Sequence, residues 1–501
     1  MRNRRARLVL AISAVSLLAT ACGARLDPHL RQAAADAQLK QGSAVVSSGT
    51  DAGATTTTNG GGSTTVTNNG GGSTTTNGGG STTTGGGGPT TTNGGGQTQA
   101  PGSGGTTVDY HSAPAGGNGG ATDTGVSATT ITAGNIADQS GPVPGLFQSA
   151  AYGAQAYFAM INSQGGIYGR QLKLIAGDSQ TDCAQTQNAV RSIEPKVLAF
   201  VGSFGLYDDC ASSEYSKHKN LADIGYALAA AHRTADGNFS PAPSPLGYTN
   251  GMFKYWAKKY PQQVLKVGAI YPNVPSAALS YRYFRATGES VGWKYAYAAA
   301  TGATQTTFQA ELQQAKRAGV QLMFIAAENA GNTAEIKKEM DQQNFKALFI
   351  SPVAYASDFI QRLGSSSEAE GIEGANLYSL FFNADEAGRI PEVATFQKWM
   401  KQIHPNDALE LYAMYSWASA KMYVDALIKI GPKLTRAALY STLKGVHDFD
   451  DNGFVVKTDP GAKKPGVCYV LWKIHNGQYV RQDTPPTQYR CDGEYFYYKG
   501  N

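Results

Sequence analysis

The chain has 501 residues and a formal charge of 42 − 37 = +5, and four of its positive charges sit on Arg2, Arg4, Arg5 and Arg7. The remainder is close to neutral, which excludes the basic surplus that a binder of nucleic-acid phosphates needs. Apolar runs stay short of the ~20 residues that a permanent membrane helix takes.

The N-terminal arginines precede an apolar run over 8–18, then Ala19-Thr20-Ala21 and Cys22. A charged start, a short apolar core and small residues form the pattern of a secretory signal peptide over 1–21. The cysteine directly behind it resembles the lipobox of bacterial lipoproteins, with Ala19 where that signal usually has leucine. The resemblance implies acylation of Cys22 and a mature chain held on the outer face of the cell membrane. In that oxidising compartment Cys183, Cys210, Cys468 and Cys491 are expected to form two disulfides. Three pairings are open, and joining Cys183 to Cys210 and Cys468 to Cys491 closes the shortest loops. No Cys-x-x-Cys pair or His cluster offers a zinc site, and neither metal nor cofactor is expected.

After a short segment over 22–46, residues 47–125 are almost entirely Gly, Thr, Ser and Asn. With so little to bury, the stretch is expected to remain a disordered linker. About 75 such residues span ~50 Å on average, enough to hold a domain off a membrane.

Beyond 125 a strand–helix rhythm begins. Strands are expected over 129–136, 171–176 and 197–201, with helices over 150–161 and 183–193 between them. The rhythm resumes with strands at 267–271, 295–299, 321–326 and 347–350, separated by helices at 277–291, 308–318 and 334–343. Such alternation implies parallel sheets covered on both faces. Two runs of it imply two doubly wound α/β lobes, 126–248 and 249–377. The chain is expected to return to the first lobe over 378–448, by a long helix at 411–428, and to the second over 449–501. That makes a hinge of three crossings.

Ligands of such sheets sit beyond the carboxyl ends of the strands. Ser140, Ser203, Tyr207, Tyr226, Tyr271, Glu328 and Tyr355 all fall in strand-end loops and are the candidate ligand-binding residues. Ser140, in Ser140-Gly141-Pro142, contacts ligand or simply makes the turn. Ser203 holds a carboxylate or caps the next helix. The tyrosines offer apolar area with a polar handle, or core packing. Glu328, in the apolar run Ala326-Ala327-Glu328-Asn329-Ala330, binds a cationic group or is a solvated acid at a helix start.

Several motifs then fall in order: Ser140-Gly141-Pro142, Ile161-Asn162, Gly165-Gly166-Ile167-Tyr168-Gly169-Arg170, and Asp178 to Cys183. Together they resemble the type I periplasmic binding proteins, in the branched-chain amino-acid and amide group that serves ABC transporters. The resemblance covers roughly 126–477. It implies a monomeric solute-binding protein that delivers a small amino-acid-like or amide ligand to the permease subunits of an importer, and it independently supports the Cys183–Cys210 pairing. It also exposes a departure. Where those proteins hold the ligand carboxylate, this chain reads Tyr226-Ala227-Leu228-Ala229 without the expected threonine. Where they hold the ammonium with an acid after proline, it reads Ser351-Pro352-Val353.

Catalysis finds little support. Val201-Gly202-Ser203-Phe204-Gly205 lacks the first glycine of a nucleophile elbow, and no dinucleotide motif follows the first strand. The competing function is a sensing receptor that presents its ligand to a signalling partner.

Overall fold

The computed structural model describes residues 109–142, 146–482 and 489–500. The signal peptide, Cys22, the 22–46 segment and most of the expected linker lie outside these residues. Among the described residues no helix is long and apolar enough to cross a membrane.

The first lobe is built on β1 (Thr130–Ala137), β2 (Gln171–Asp178), β3 (Phe200–Val201) and β4 (Asp223–Ile224). All are parallel, in the order β2-β1-β3-β4. Crossovers through the helices Ser149–Ser163 and Cys183–Ile193 cover the two faces. From there β5 (Gly247–Thr249) leads the chain out of the lobe.

The second sheet contains β6 (Val267–Pro272), β7 (Tyr295–Thr301), β8 (Leu322–Phe324), β9 (Leu348–Ile350), β10 (Glu373–Asn376), β11 (Val470–His475) and β12 (Gln478–Arg481). Its order is β12-β11-β10-β9-β8-β6-β7. The strands from β6 to β10 run parallel. An antiparallel hairpin, β11–β12, extends the edge beyond β10, an addition that strand–helix alternation does not signal. Finally β13 (Tyr495–Tyr497) pairs antiparallel with β5, tying the C-terminus to the first crossing.

Between the two visits to the second sheet, the helices Pro391–Ile403 and Leu411–Ile430 return to the first lobe. The longer one lies directly on Ser149–Ser163, and Gly153 is what permits the approach. A Cβ at that position would stand 1.9 Å from the Ala413 carbonyl oxygen. Beside it the Ala154 N–H donates to Ser416 Oγ at 2.7 Å, and the Tyr157 ring meets Trp417 edge-on at 4.8 Å.

The ordered body begins upstream of the expected boundary at 126. Arg170, fully buried, donates to the carbonyls of Ser127, Asn118, Gly120 and Pro432. Tyr168 N–H donates to the Tyr110 carbonyl, and Thr122 Oγ1 to the Leu434 carbonyl. Residues 109–125 are thus strapped to the first lobe by backbone carbonyls, which apolar content does not reveal. Both neighbouring cysteine pairs are joined: Cys183–Cys210 links two helix starts of the first lobe, and Cys468–Cys491 ties the C-terminal segment to the approach to β11.

Candidate functional site

Ser203 follows β3 at a bend where Gly202 has φ +69°, a left-handed conformation that favours glycine. A Cβ there would also press on Ser416 of the long return helix. The Ser203 hydroxyl is buried and accepts the Ile136 N–H at 3.1 Å. It does not cap the next helix, which begins at Asp208 behind Tyr207. Ser203, Tyr207, Asp208, Tyr215 and His232 line one small cavity at these strand ends, where the buried Tyr215 hydroxyl faces Ser203.

A buried ion triad sits beneath that cavity. His232 faces Asp208 through Nδ1 at 2.8 Å and Asp223 through Nε2 at 2.7 Å. Burial opposes a charged ring, but the two carboxylates outweigh it and raise the imidazole from 6.5 to about 10. Asn238 completes the arrangement with a 2.8 Å hydrogen bond to Asp223. Asp208 also accepts the N–H groups of Leu228 and Ala229, so the triad holds the loop that carries Tyr226. With both His232 ring nitrogens taken by carboxylates, Ser203 and His232 do not form a nucleophile–base hydrogen bond.

Tyr226 belongs to a ladder of rings, most of them buried in one core, that runs from the first lobe to the second. It stacks on Phe204 at 5.3 Å and on Tyr415 of the return helix at 4.7 Å. Phe147 and Tyr412 extend the ladder within the first lobe. Tyr378, just beyond β10, lies 5.9 Å from Tyr415 and 6.4 Å from Tyr355. Tyr355, after β9, stacks on Phe382 at 4.1 Å, packs against Trp472 of β11, and donates its hydroxyl to Asn383 Oδ1. Tyr226 and Tyr355, 129 positions apart, are therefore joined through Tyr415 and Tyr378. Sequence reasoning missed those two links. An aromatic pair at three-residue spacing, Tyr412 and Tyr415 on the long helix, was the available signal.

The other candidates stand apart from the ladder. Ser140 is exposed, and its N–H and hydroxyl both donate to Asp178, the arrangement of a turn. Tyr271, half-buried at the end of β6, stacks on Tyr281 at 4.1 Å. Glu328 is buried rather than a solvated helix-start acid. One carboxylate oxygen accepts from Asn332 at 3.0 Å, and the Asn329 N–H and Thr301 hydroxyl also favour the charged form. Desolvation raises its carboxyl from 4.5 to about 7.

One more residue commands the cleft. Arg233 is 6% exposed and sits in the short helix Ala230–Thr234. Its Nε donates to the Leu228 carbonyl and its Nη1 to the Ser244 carbonyl and hydroxyl, while Nη2 is buried without a partner. The guanidinium lies 5.3 Å above the Tyr283 ring of the helix Pro275–Glu289 in the second lobe. Tyr226 and Tyr495 are also close enough to interact with it electrostatically.

This architecture matches known proteins closely. No match was found among curated proteins by sequence, but a fatty acid ABC transporter substrate-binding protein from Thermomonospora curvata superposes with a TM-score of 0.61 at 17% identity, covering 76% of this chain and 96% of that one. A leucine-binding protein from Thermotoga maritima gives 0.58 at 14% identity, over 71% and 98%. A branched-chain amino acid transporter substrate-binding protein from Streptococcus pneumoniae, in complex with isoleucine, gives 0.58 at 16%, over 70% and 100%. The family model described as periplasmic binding protein matches residues 130–478. With that match over most of its length and the two-lobed, mostly parallel architecture above, the chain belongs to the periplasmic binding protein family, with the type I fold.

Proposed function

We propose that this chain is a lipid-anchored, extracytoplasmic solute-binding protein that captures a small organic molecule between its lobes and hands it to the permease subunits of an ABC importer. The observation that carries the reading is the ring ladder from Phe147 to Tyr355. It joins the strand ends of the first sheet to those of the second through Tyr415 of the return helix and Tyr378 beyond β10. Aromatic faces at a lobe interface give a ligand broad contact at low entropic cost, and hinge-linked lobes close over what they bind. Ser203, Tyr207 and Tyr226 from the first lobe, with Tyr271, Glu328 and Tyr355 from the second, would line the site. Binding rather than catalysis fits the engaged nitrogens of His232. The named relatives include a fatty acid and a branched-chain amino acid binder, so the fold accommodates chemically unlike solutes. Acylation at Cys22, a linker reaching ~50 Å and residence on the outer face of the cell membrane complete the proposal.

A thermal-unfolding screen of the full chain against amino acids, amides, monocarboxylates and short peptides tests it. A ligand at 100 times its Kd adds about 2.7 kcal/mol to stability. Stabilisation by at least one solute class, with uptake of that solute lost when the gene is deleted, is the expected result. A flat response to the whole panel would remove the solute-binding reading.

A further inference from the structure

Arg233 is a buried cation for which no acidic partner is found among the described residues. Its hydrogen bonds go to carbonyls and a hydroxyl, its neighbours are phenols, of which Tyr283 also interacts with it as a hydrogen-bonding partner, and Nη2 has no partner of full hydrogen-bond geometry. Removing a guanidinium from water without a counter-charge is strongly unfavourable. The nearby acids of the first lobe make no ion pair with it: Asp208 and Asp223 both bond His232, and the triad's leftover negative charge is not in contact with the guanidinium. A second observation points the same way. Backbone N–H groups after β4 would be the natural place to receive a ligand anion, yet those of Leu228 and Ala229 are consumed by the Asp208 carboxylate. The loop that would otherwise hold an anion is filled from within, and the unpaired cation stands on the helix immediately after it.

We infer that Arg233 anchors the carboxylate of the ligand, with the Tyr283 and Tyr226 phenols flanking it and the ring ladder taking the apolar body. This rests on the solute-binding reading and narrows it to small organic acids. The planar fork of a guanidinium suits a carboxylate, which would meet the free Nη2 and neutralise the buried charge. Tyr283 belongs to the second lobe and Arg233 to the first, so an acid bound there is gripped from both sides and its arrival favours the closed form.

Matched probes test this by calorimetry on the full chain. One set is leucine, 4-methylpentanoate and 4-methylpentanamide, and the other is phenylalanine, 3-phenylpropanoate and 3-phenylpropanamide. Within a set the acid and amide differ only in the anionic group, and the amino acid adds an ammonium to the acid. At least one acid should bind about 10- to 150-fold more tightly than its amide, the range of one charge-assisted hydrogen bond. Arg233→Gln should erase that ratio, and Arg233→Lys should retain part of it. If Arg233→Gln does not fold, the acid-to-amide ratio of the wild type and of Arg233→Lys decides. Amides binding as tightly as acids, or an acid affinity unchanged in Arg233→Gln, overturns the anchor and leaves the solute-binding reading intact. Failure of every acid to bind also overturns it. Only silence from neutral and zwitterionic solutes as well would remove both.

Discussion

Replacing His232 by glutamine should convert a pH-dependent stability into a nearly flat one. The imidazole is raised from 6.5 to about 10 in the folded chain. A base whose folded pKa is raised stabilises the fold fully below its unfolded value and loses that stabilisation as pH climbs through the folded one. The window therefore runs from about pH 6.5 to about pH 10. At 1.36 kcal/mol per unit, a rise of about 3.5 units is worth at most about 5 kcal/mol. About 4 kcal/mol of that is present at pH 7, and about 3.5 kcal/mol is lost between pH 7 and 10. The same order follows from geometry, since removing one partner of a buried ion group leaves uncompensated charge costing about 3–5 kcal/mol. Urea unfolding at half-unit steps across the window measures it. Tyrosines and lysines titrating near pH 10 act on both proteins, so the difference between wild type and His232→Gln is the readout. That difference should be about 4 kcal/mol at pH 7 and close to zero at pH 10. Because Asp208 also holds the Leu228 and Ala229 amides, hydrogen exchange at 226–229 should rise in the variant while the helix Leu411–Ile430 stays protected. Parallel stability curves for the two proteins would refute the raised imidazole, and unchanged exchange at 226–229 would refute the triad's hold on this loop.

Glu328→Gln should stabilise the ligand-free protein at pH 8 by about 2–3 kcal/mol, since burial raises the carboxyl from 4.5 to about 7 and disfavours its charged form above that. The gain should vanish by about pH 4.5 in the same unfolding measurement, while binding of an ammonium-bearing ligand, read by calorimetry, weakens about 10- to 150-fold. Gly153→Ala should destabilise by about 3 kcal/mol, because the new methyl meets the Ala413 carbonyl oxygen at 1.9 Å. Gly388→Ala is its control: that helical glycine has no atoms within 4 Å of its would-be Cβ, and the substitution should be neutral or stabilise by up to about 1 kcal/mol in thermal unfolding.

Most of the α/β frame was legible because its elements are long and periodic. The helix expected at 150–161 is observed as Ser149–Ser163, and the strand expected at 267–271 as Val267–Pro272. The strand expected over 197–201 shrinks to Phe200–Val201, although the Leu198 N–H and the Ala199 carbonyl still bond to Thr132 and Gly134 of β1. What escaped follows a common physical pattern. The strap over 109–125 is held by Arg170 reaching backbone carbonyls, and carbonyls carry no side-chain signature. The β11–β12 hairpin is short and joins an edge built a hundred residues earlier.

The site divides along the same line. A strand-end rule reaches residues near strands, and it singled out Ser203, Tyr226 and Tyr355 as candidates. It cannot reach Tyr378, Tyr412 or Tyr415, which enter the cleft from the hinge and the return helix and acquire their neighbours only through tertiary packing. Nor can it see that Asp208 fills the amides after β4 from inside. That internal bond is the physical counterpart of the missing threonine in Tyr226-Ala227-Leu228-Ala229. With the loop amides committed to their own acid, an anion entering the cleft has to find its donor elsewhere. One donor on this lobe that lacks a partner is Arg233 Nη2, seated against Tyr283 of the other. On the proposed site, departure from the amino-acid clamp would leave a different polarity layout: a fixed cation on the first lobe, and on the second a buried Glu328 whose carboxyl is raised to about 7. Such a cleft favours acids over zwitterions at mildly acidic pH, and the preference should narrow as Glu328 ionises and becomes able to hold an ammonium.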